Sequence, residues 1–274
     1  MPRRHILRNE SGNLRPGWVL AGRAALWLTV TVAVRLGLGA LLRALFGAWN
    51  LNAETVARAP GWARMLYAWQ GSAVTLLVDA VAILIAVSAC RARLPRPDRR
   101  SLAFWGAGTG VALGSAALFL LTDSLRPAWP LSSPRLDIGL VFLCGLSLLT
   151  ALAEELFTKG VIYDGIRPRW GGAWAAALVF FLMNGGCSGS WISGVNVALM
   201  GLLCAVIYPR FGLWATVALR WGWGFATVFL WGRVYRLYGV SETLLTGGDA
   251  GLVYGLWLTA ALVILNIIFL RRSR

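Results

Sequence analysis

The sequence predicts an all-α fold: a polytopic membrane helix bundle of about eight transmembrane helices. Three observations carry that prediction. Of the 274 residues, 58% are hydrophobic and only 14% charged, with a mean hydropathy of +0.67, whereas a soluble domain carries about 25% charged residues. Apolar runs recur along the chain at or near the ~20 residues that cross a bilayer. Fifteen tryptophans fit the same class, because indole rings favour the lipid headgroup zone.

The elements follow in order. Residues 1–23 form a basic, polar tail with no separate short apolar core, so no cleavable signal peptide is expected. Residues 24–135 carry three long runs, Ala24–Trp49, Leu66–Cys90 and Ser101–Leu121. Residues 136–231 carry the next four, Leu136–Phe157, Gly172–Cys187, Val195–Tyr208 and Leu213–Trp231. The second and third of these fall below span length, as segments do where helices end inside a protein and line a cavity. Residues 232–274 hold an outer loop, Gly232–Asp249, and a last run, Leu252–Leu270. No internal repeat is evident, and no linker separates two soluble domains.

Charge placement sets the expected orientation. With the N-terminus in the cytoplasm, inner segments hold 17 Arg and Lys residues and outer loops 6, the asymmetry of a multi-pass inner-membrane protein with both termini cytoplasmic. Arg35, Arg43 and Arg220 lie within runs. A net charge of +15 raises the question of nucleic acid. The arginines sit between hydrophobic runs, however, where they meet anionic lipid, so membrane lipids are the expected partner and nucleic acid is not. One lysine against 25 arginines hints at a GC-rich bacterial genome. Cys90, Cys144, Cys187 and Cys204 fall in or at the ends of apolar runs without C-x-x-C spacing, which suits small buried apolar residues.

The most informative residues are the adjacent carboxylates Glu154 and Glu155 at the end of the fourth run. An ionised carboxylate is costly in hydrocarbon, so such a pair needs partners or a task. At helical spacing Lys159 pairs with Glu155 along one face, and Glu154 projects roughly 100° away. Asn184 is strongly polar within the apolar fifth run, and Arg220 places a cation inside the seventh. If the fourth helix continues to about Gly165, Glu154 lies roughly 16 Å from its inner end and Asn184 roughly 18 Å into the next helix from Gly172. The expectation is one interior pocket holding Glu154, Glu155, Asn184 and Arg220.

The order and spacing of these residues resemble the CAAX-protease and bacteriocin-processing (CPBP, or Abi) family of intramembrane glutamic endopeptidases. That family carries E-E-x-x-x-R, F-x-x-x-H and H-x-x-x-N on three helices of an eight-helix bundle. Here the motifs read Glu154-Glu155-x-x-x-Lys159, Phe180-x-x-x-Asn184 and Arg220-x-x-x-Gly224, with Gly160 and the lead-in Gly212-Leu213-Trp214-Ala215 also similar. The resemblance covers about Leu136 to Trp231. It implies that Glu154 activates a water, with Glu155, Asn184 and Arg220 as its companions and Lys159, Phe180 and Gly224 in support.

Four of the seven motif positions depart from that pattern. Asn184 cannot change charge near neutrality as histidine does, and Arg220 is permanently cationic. Lys159 lacks the planar fork of arginine. Gly224 brings no side chain. A guanidinium among carboxylates keeps a buried centre near neutral but makes Glu154 a poorer proton acceptor.

Other motifs read more blandly. Gly186-Cys187-Ser188-Gly189 matches a rhomboid-type G-x-S-G, but His5 in the tail is the chain's single histidine, so no base serves the serine and no H-E-x-x-H metal site exists. It reads as a glycine-rich helix end. Asp79 and Arg35 suit a bond between adjacent helices, and the stretch Arg91–Arg100 a turn at an anionic membrane surface. The favoured expectation is a catalytically impaired homologue that binds membrane peptides or partner proteins, with neither cofactor nor metal. An active endopeptidase using Glu154 as base, with Asn184 and Arg220 stabilising the oxyanion, is the first alternative. A small transporter built on Asp79, Arg35 and the carboxylate pair is the second.

Overall fold

The structure is a computed structural model, and it describes residues 14–49, 52, 54–121, 125–127, 130, 138–166, 169–184, 191–226, 237–239 and 255–272. His5, the Gly186–Gly189 motif, Cys187 and most of the outer loop lie outside the described residues. Eight α-helices are described: α1 (Pro16–Ala48), α2 (Gly61–Ser88), α3 (Arg100–Leu121), α4 (Ile138–Glu155), α5 (Arg169–Met183), α6 (Trp191–Phe211), α7 (Leu213–Gly224) and α8 (Leu256–Arg272). Each matches one of the eight apolar runs. A short antiparallel pairing of β1 (Leu125–Pro127) with β2 (Leu237–Gly239) joins the α3–α4 and α7–α8 connections.

Several boundaries differ from the sequence expectation, each for a local reason. Helix α1 begins at Pro16, inside the stretch read as tail, because proline is pre-set for the first helical turn and its missing N–H costs nothing there. Helix α6 is 21 residues long rather than a short segment, extending past Pro209, and is apolar enough to span. The fourth helix continues beyond Phe157 as a π-helical segment, Leu156–Tyr163. Among the described residues, four helices are long and apolar enough to cross a membrane: α1, α2, α4 with its π extension, and α6.

The chain forms two compact units, Met1–Ala92 and Arg93–Arg274. In the first, α1 and α2 pair through the Trp27 indole, which donates to the Ala82 carbonyl at 2.9 Å, and through Phe46 against Ala63 and Tyr67. Asp79 is buried in α2, and Arg35 is exposed on α1.

In the second unit, α3 packs most extensively on α7. Two glycines permit this. A Cβ at Gly108 would strike the Leu219 carbonyl oxygen, and one at Gly222 the Trp105 carbonyl oxygen. Small residues at a helix crossing let backbones approach closely, which is how apolar helices gain contact in lipid. The Thr109 hydroxyl donates to the Gly222 carbonyl at 3.1 Å in the same seam. Helix α6 packs against α5 on one side and α8 on the other. The α6–α8 seam is fastened by Thr259 to Asn196 at 2.6 Å and Asn266 to the Leu199 carbonyl at 3.0 Å. The core shared by α6, α7 and α8 includes Leu203, Ile207, Leu219, Leu258 and Leu262.

Candidate functional site

Four elements bring the site together. Helix α4 ends at Glu155, having placed Glu154 and Glu155 on its last turn. The π segment that follows carries Lys159, and its residues Leu156–Lys159 are almost wholly buried. Short π stretches are rare and recur at functional sites. Helix α5 stops at Met183, so Asn184 is the residue that leaves it, and α7 presents Arg220 from its middle.

The polar residues picked out in the sequence meet here. Arg220 Nη2 lies 2.7 Å from Glu154 Oε2, and Arg220 Nη1 lies 3.6 Å from Glu155 Oε1. Lys159 Nζ lies 3.3 Å from the other oxygen of Glu155 and donates to Thr158 Oγ1 at 3.2 Å. Asn184 Nδ2 donates to Glu154 Oε2 at 3.3 Å and to the Phe180 carbonyl at 3.0 Å. The Thr158 hydroxyl donates in turn to the Glu154 carbonyl at 2.8 Å. The result is two carboxylates and two cations in one connected cluster, formally neutral.

The cluster has a closed side and an open side. Glu155 and Lys159 are completely buried. Glu155 is held mainly by charge, from Lys159 at 3.3 Å and Arg220 at 3.6 Å. Glu154 and Arg220 retain 18% and 15% of their side-chain exposure, and Asn184 is exposed. The Phe180 ring forms the floor: the Arg220 guanidinium sits 4.4 Å from its centroid and Lys159 Nζ 5.6 Å, both within cation–π range.

Gly224 is the supporting position that brings no side chain to the cluster. A Cβ there would meet nothing within 4 Å, so packing does not demand glycine. Lys159 is a buried residue paired with Glu155 one turn earlier, as the helical spacing predicts.

Two participants were not foreseen. Gly201 on α6 leaves room for the Phe180 ring: a Cβ at that position would lie 2.8 Å from Phe180 Cδ1. Thr158 bridges Lys159 to the backbone of Glu154. Thr158 lies inside the first motif and was open to sequence reading; Gly201 depends on a contact between helices that sequence spacing does not encode. Among the described residues, no cluster of His, Cys, Asp and Glu is arranged to hold a metal ion.

Residues 136–226 match the family described as type II CAAX prenyl endopeptidase, Rce1-like. The match runs from the start of α4 to the end of α7 and so contains every residue of the cluster. Over this third of its length the chain is thus similar to CAAX endopeptidases of the CPBP type, in a protein with several helices apolar enough to cross a membrane. Neither the curated proteins nor the solved structures contain a match to the chain.

Proposed function

We propose that this CAAX-endopeptidase-like domain works without peptide hydrolysis, binding a membrane peptide or a partner's transmembrane segment at the open side of the Glu154 cluster. The observation that carries this reading is the 2.7 Å pair between Arg220 and Glu154. A general base needs a lone pair aimed at water and a means of passing the proton on. Both side-chain contacts of Glu154 fall on Oε2, one from a guanidinium that never deprotonates and one from an amide that cannot titrate. The described residues include no histidine, the chain's single one being His5.

What the cluster does offer is a neutral polar surface in an apolar setting. A peptide carbonyl or N–H entering a membrane bundle has no water to satisfy it. Asn184 and the exposed edges of Glu154 and Arg220 supply a donor and an acceptor for such a group. We place the protein in the inner membrane with both termini cytoplasmic, a reading supported by the arginine distribution.

The test is cleavage and binding of a membrane-peptide library, prenylated C-terminal peptides included, by the purified full chain beside Glu154→Gln. Binding without cleavage in the parent is expected. Cleavage by the parent that Glu154→Gln abolishes would overturn the proposal. It would instead establish the second reading, an endopeptidase with Arg220 and Asn184 as oxyanion donors. The partial exposure of Glu154 and Arg220 favours that alternative.

A further inference from the structure

The end of the second unit where α3 begins and α6 gives way to α7 carries a charge excess that the Glu154 cluster does not use. Rings at this end confirm that the elements meet there: Phe104 of α3 stacks on Phe211 at 5.0 Å, and Phe211 on Phe269 of α8 at 6.3 Å. Arg93, Arg96, Arg99, Arg100, Arg210 and Arg271 are all exposed at this end. Its carboxylates among the described residues, Asp98 and Asp164, are already engaged. Asp98 Oδ1 accepts from the Ser101 N–H and hydroxyl, both at 3.1 Å, closing the start of α3. Asp164 accepts from the Tyr208 hydroxyl at 2.7 Å and has Arg93 beside it.

The arginine-bearing loop is also held in place. The Trp214 indole on α7 donates to the Pro95 carbonyl at 2.6 Å, midway along the loop. Pro95 and Pro97 fix their own backbone angles. Arg96, Arg99 and Arg100 therefore project from a tethered backbone. Guanidinium groups bind phosphate oxygens in paired fashion, and a pre-ordered donor loses less entropy on binding. An indole anchored at a helix start is characteristic of the headgroup zone.

We propose that the loop Arg93–Arg100, tethered by Trp214, is a binding site for the phosphate of an anionic phospholipid in the adjoining leaflet. The occupant is a lipid because the site opens where membrane-spanning helices end, with apolar surface beside the charge. This inference is independent of whether the Glu154 cluster hydrolyses peptides. Because Trp214 begins α7, a lipid seated here also braces the helix that carries Arg220.

The experiment compares the purified full chain in phosphatidylcholine nanodiscs with and without phosphatidylglycerol. Its readouts are the unfolding midpoint and the number of phosphatidylglycerol molecules retained in native mass spectrometry. The parent should gain stability with phosphatidylglycerol and retain it selectively, an effect that fades at high salt. Arg96→Gln, Arg99→Gln and Arg100→Gln together should abolish the selectivity, at roughly fivefold in affinity for each arginine removed. Trp214→Phe, which keeps a ring but loses the N–H, should weaken it with all arginines in place. A parent indifferent to phosphatidylglycerol, or a triple variant that retains it as well as the parent, would overturn the proposal.

Discussion

Removing the Arg220 guanidinium tests whether the cluster is one coupled unit. Arg220→Met is the suitable change, since it keeps an unbranched apolar stem and opens little cavity. It strips Glu154 of its 2.7 Å partner and Glu155 of one of two cations. Breaking a buried ion pair costs about 3–5 kcal/mol. Glu154 and Arg220 each keep under a fifth of their side chain exposed, and the loss of the ring contact with Phe180 adds about 1 kcal/mol. About 3 kcal/mol is the expected net loss once that exposure is set against the lost contacts. For a chain of this size that corresponds to a fall in unfolding midpoint of about 6–12 °C.

The sharper readout is the pairing with Glu154→Gln. In the Arg220→Met background the carboxylate of Glu154 is an unpaired charge, and the amide removes that charge while keeping shape. The double variant leaves Glu155 with Lys159, which balance one another. It should therefore recover about half of the loss, about 1–2 kcal/mol relative to Arg220→Met alone, and the coupling exceeds that by whatever Glu154→Gln costs by itself. Thermal unfolding in one fixed nanodisc composition, followed by tryptophan fluorescence, measures all four corners of the cycle. Strict additivity of the two substitutions, or an Arg220→Met protein as stable as the parent, would refute the coupled-unit reasoning.

Other expectations follow from packing and chemistry. Gly201→Ala should cost about 1–3 kcal/mol by driving a methyl into the Phe180 ring; Phe180→Leu in the same chain should return part of it, measured by the same unfolding assay. Gly222→Ala should be more damaging, because its Cβ meets the rigid Trp105 carbonyl rather than a side chain, while Gly224→Ala two residues on should be neutral or stabilising by up to about 1 kcal/mol. Asn184→His, Arg220→His and Gly224→Asn together rebuild the histidine and asparagine positions of the resembled motifs, and the open space at Gly224 admits the new side chain. Peptide cleavage by that triple variant, lost again on adding Glu154→Gln, is the expected outcome in a peptide-library assay.

Much of the fold was legible because lipid imposes a coarse rule: a spanning segment must be long, apolar and helical. Eight runs therefore became eight helices. What the rule cannot supply is the helix type. Nothing in Leu156–Tyr163 distinguishes a π segment from an α-helix by hydrophobic period, yet that segment delivers the buried Lys159. The charged and polar residues were legible for the complementary reason. In hydrocarbon an isolated Glu, Arg or Asn is so unfavourable that three of them on separate helices must converge. Gly201 escaped notice because a glycine among alanines and leucines carries no such penalty; its role exists only relative to Phe180 on another helix.

The energetics of the Arg220–Glu154 pair also bear on function. For Glu154 to act as a base, the guanidinium must leave it or share it with a water. If separating them costs about 3 kcal/mol, the reactive arrangement is populated less by about two orders of magnitude, and the rate falls with it. A cation that served as oxyanion donor would have to recover that loss in the transition state. Arg220 is poorly placed to do so while Nη1 faces the buried Glu155. On the proposed reading, the same contacts that would hinder hydrolysis hold Glu154, Asn184 and Arg220 at the open edge of the bundle. Rigid, neutral and partly exposed polar groups are what the proposed binding of a peptide backbone in lipid requires.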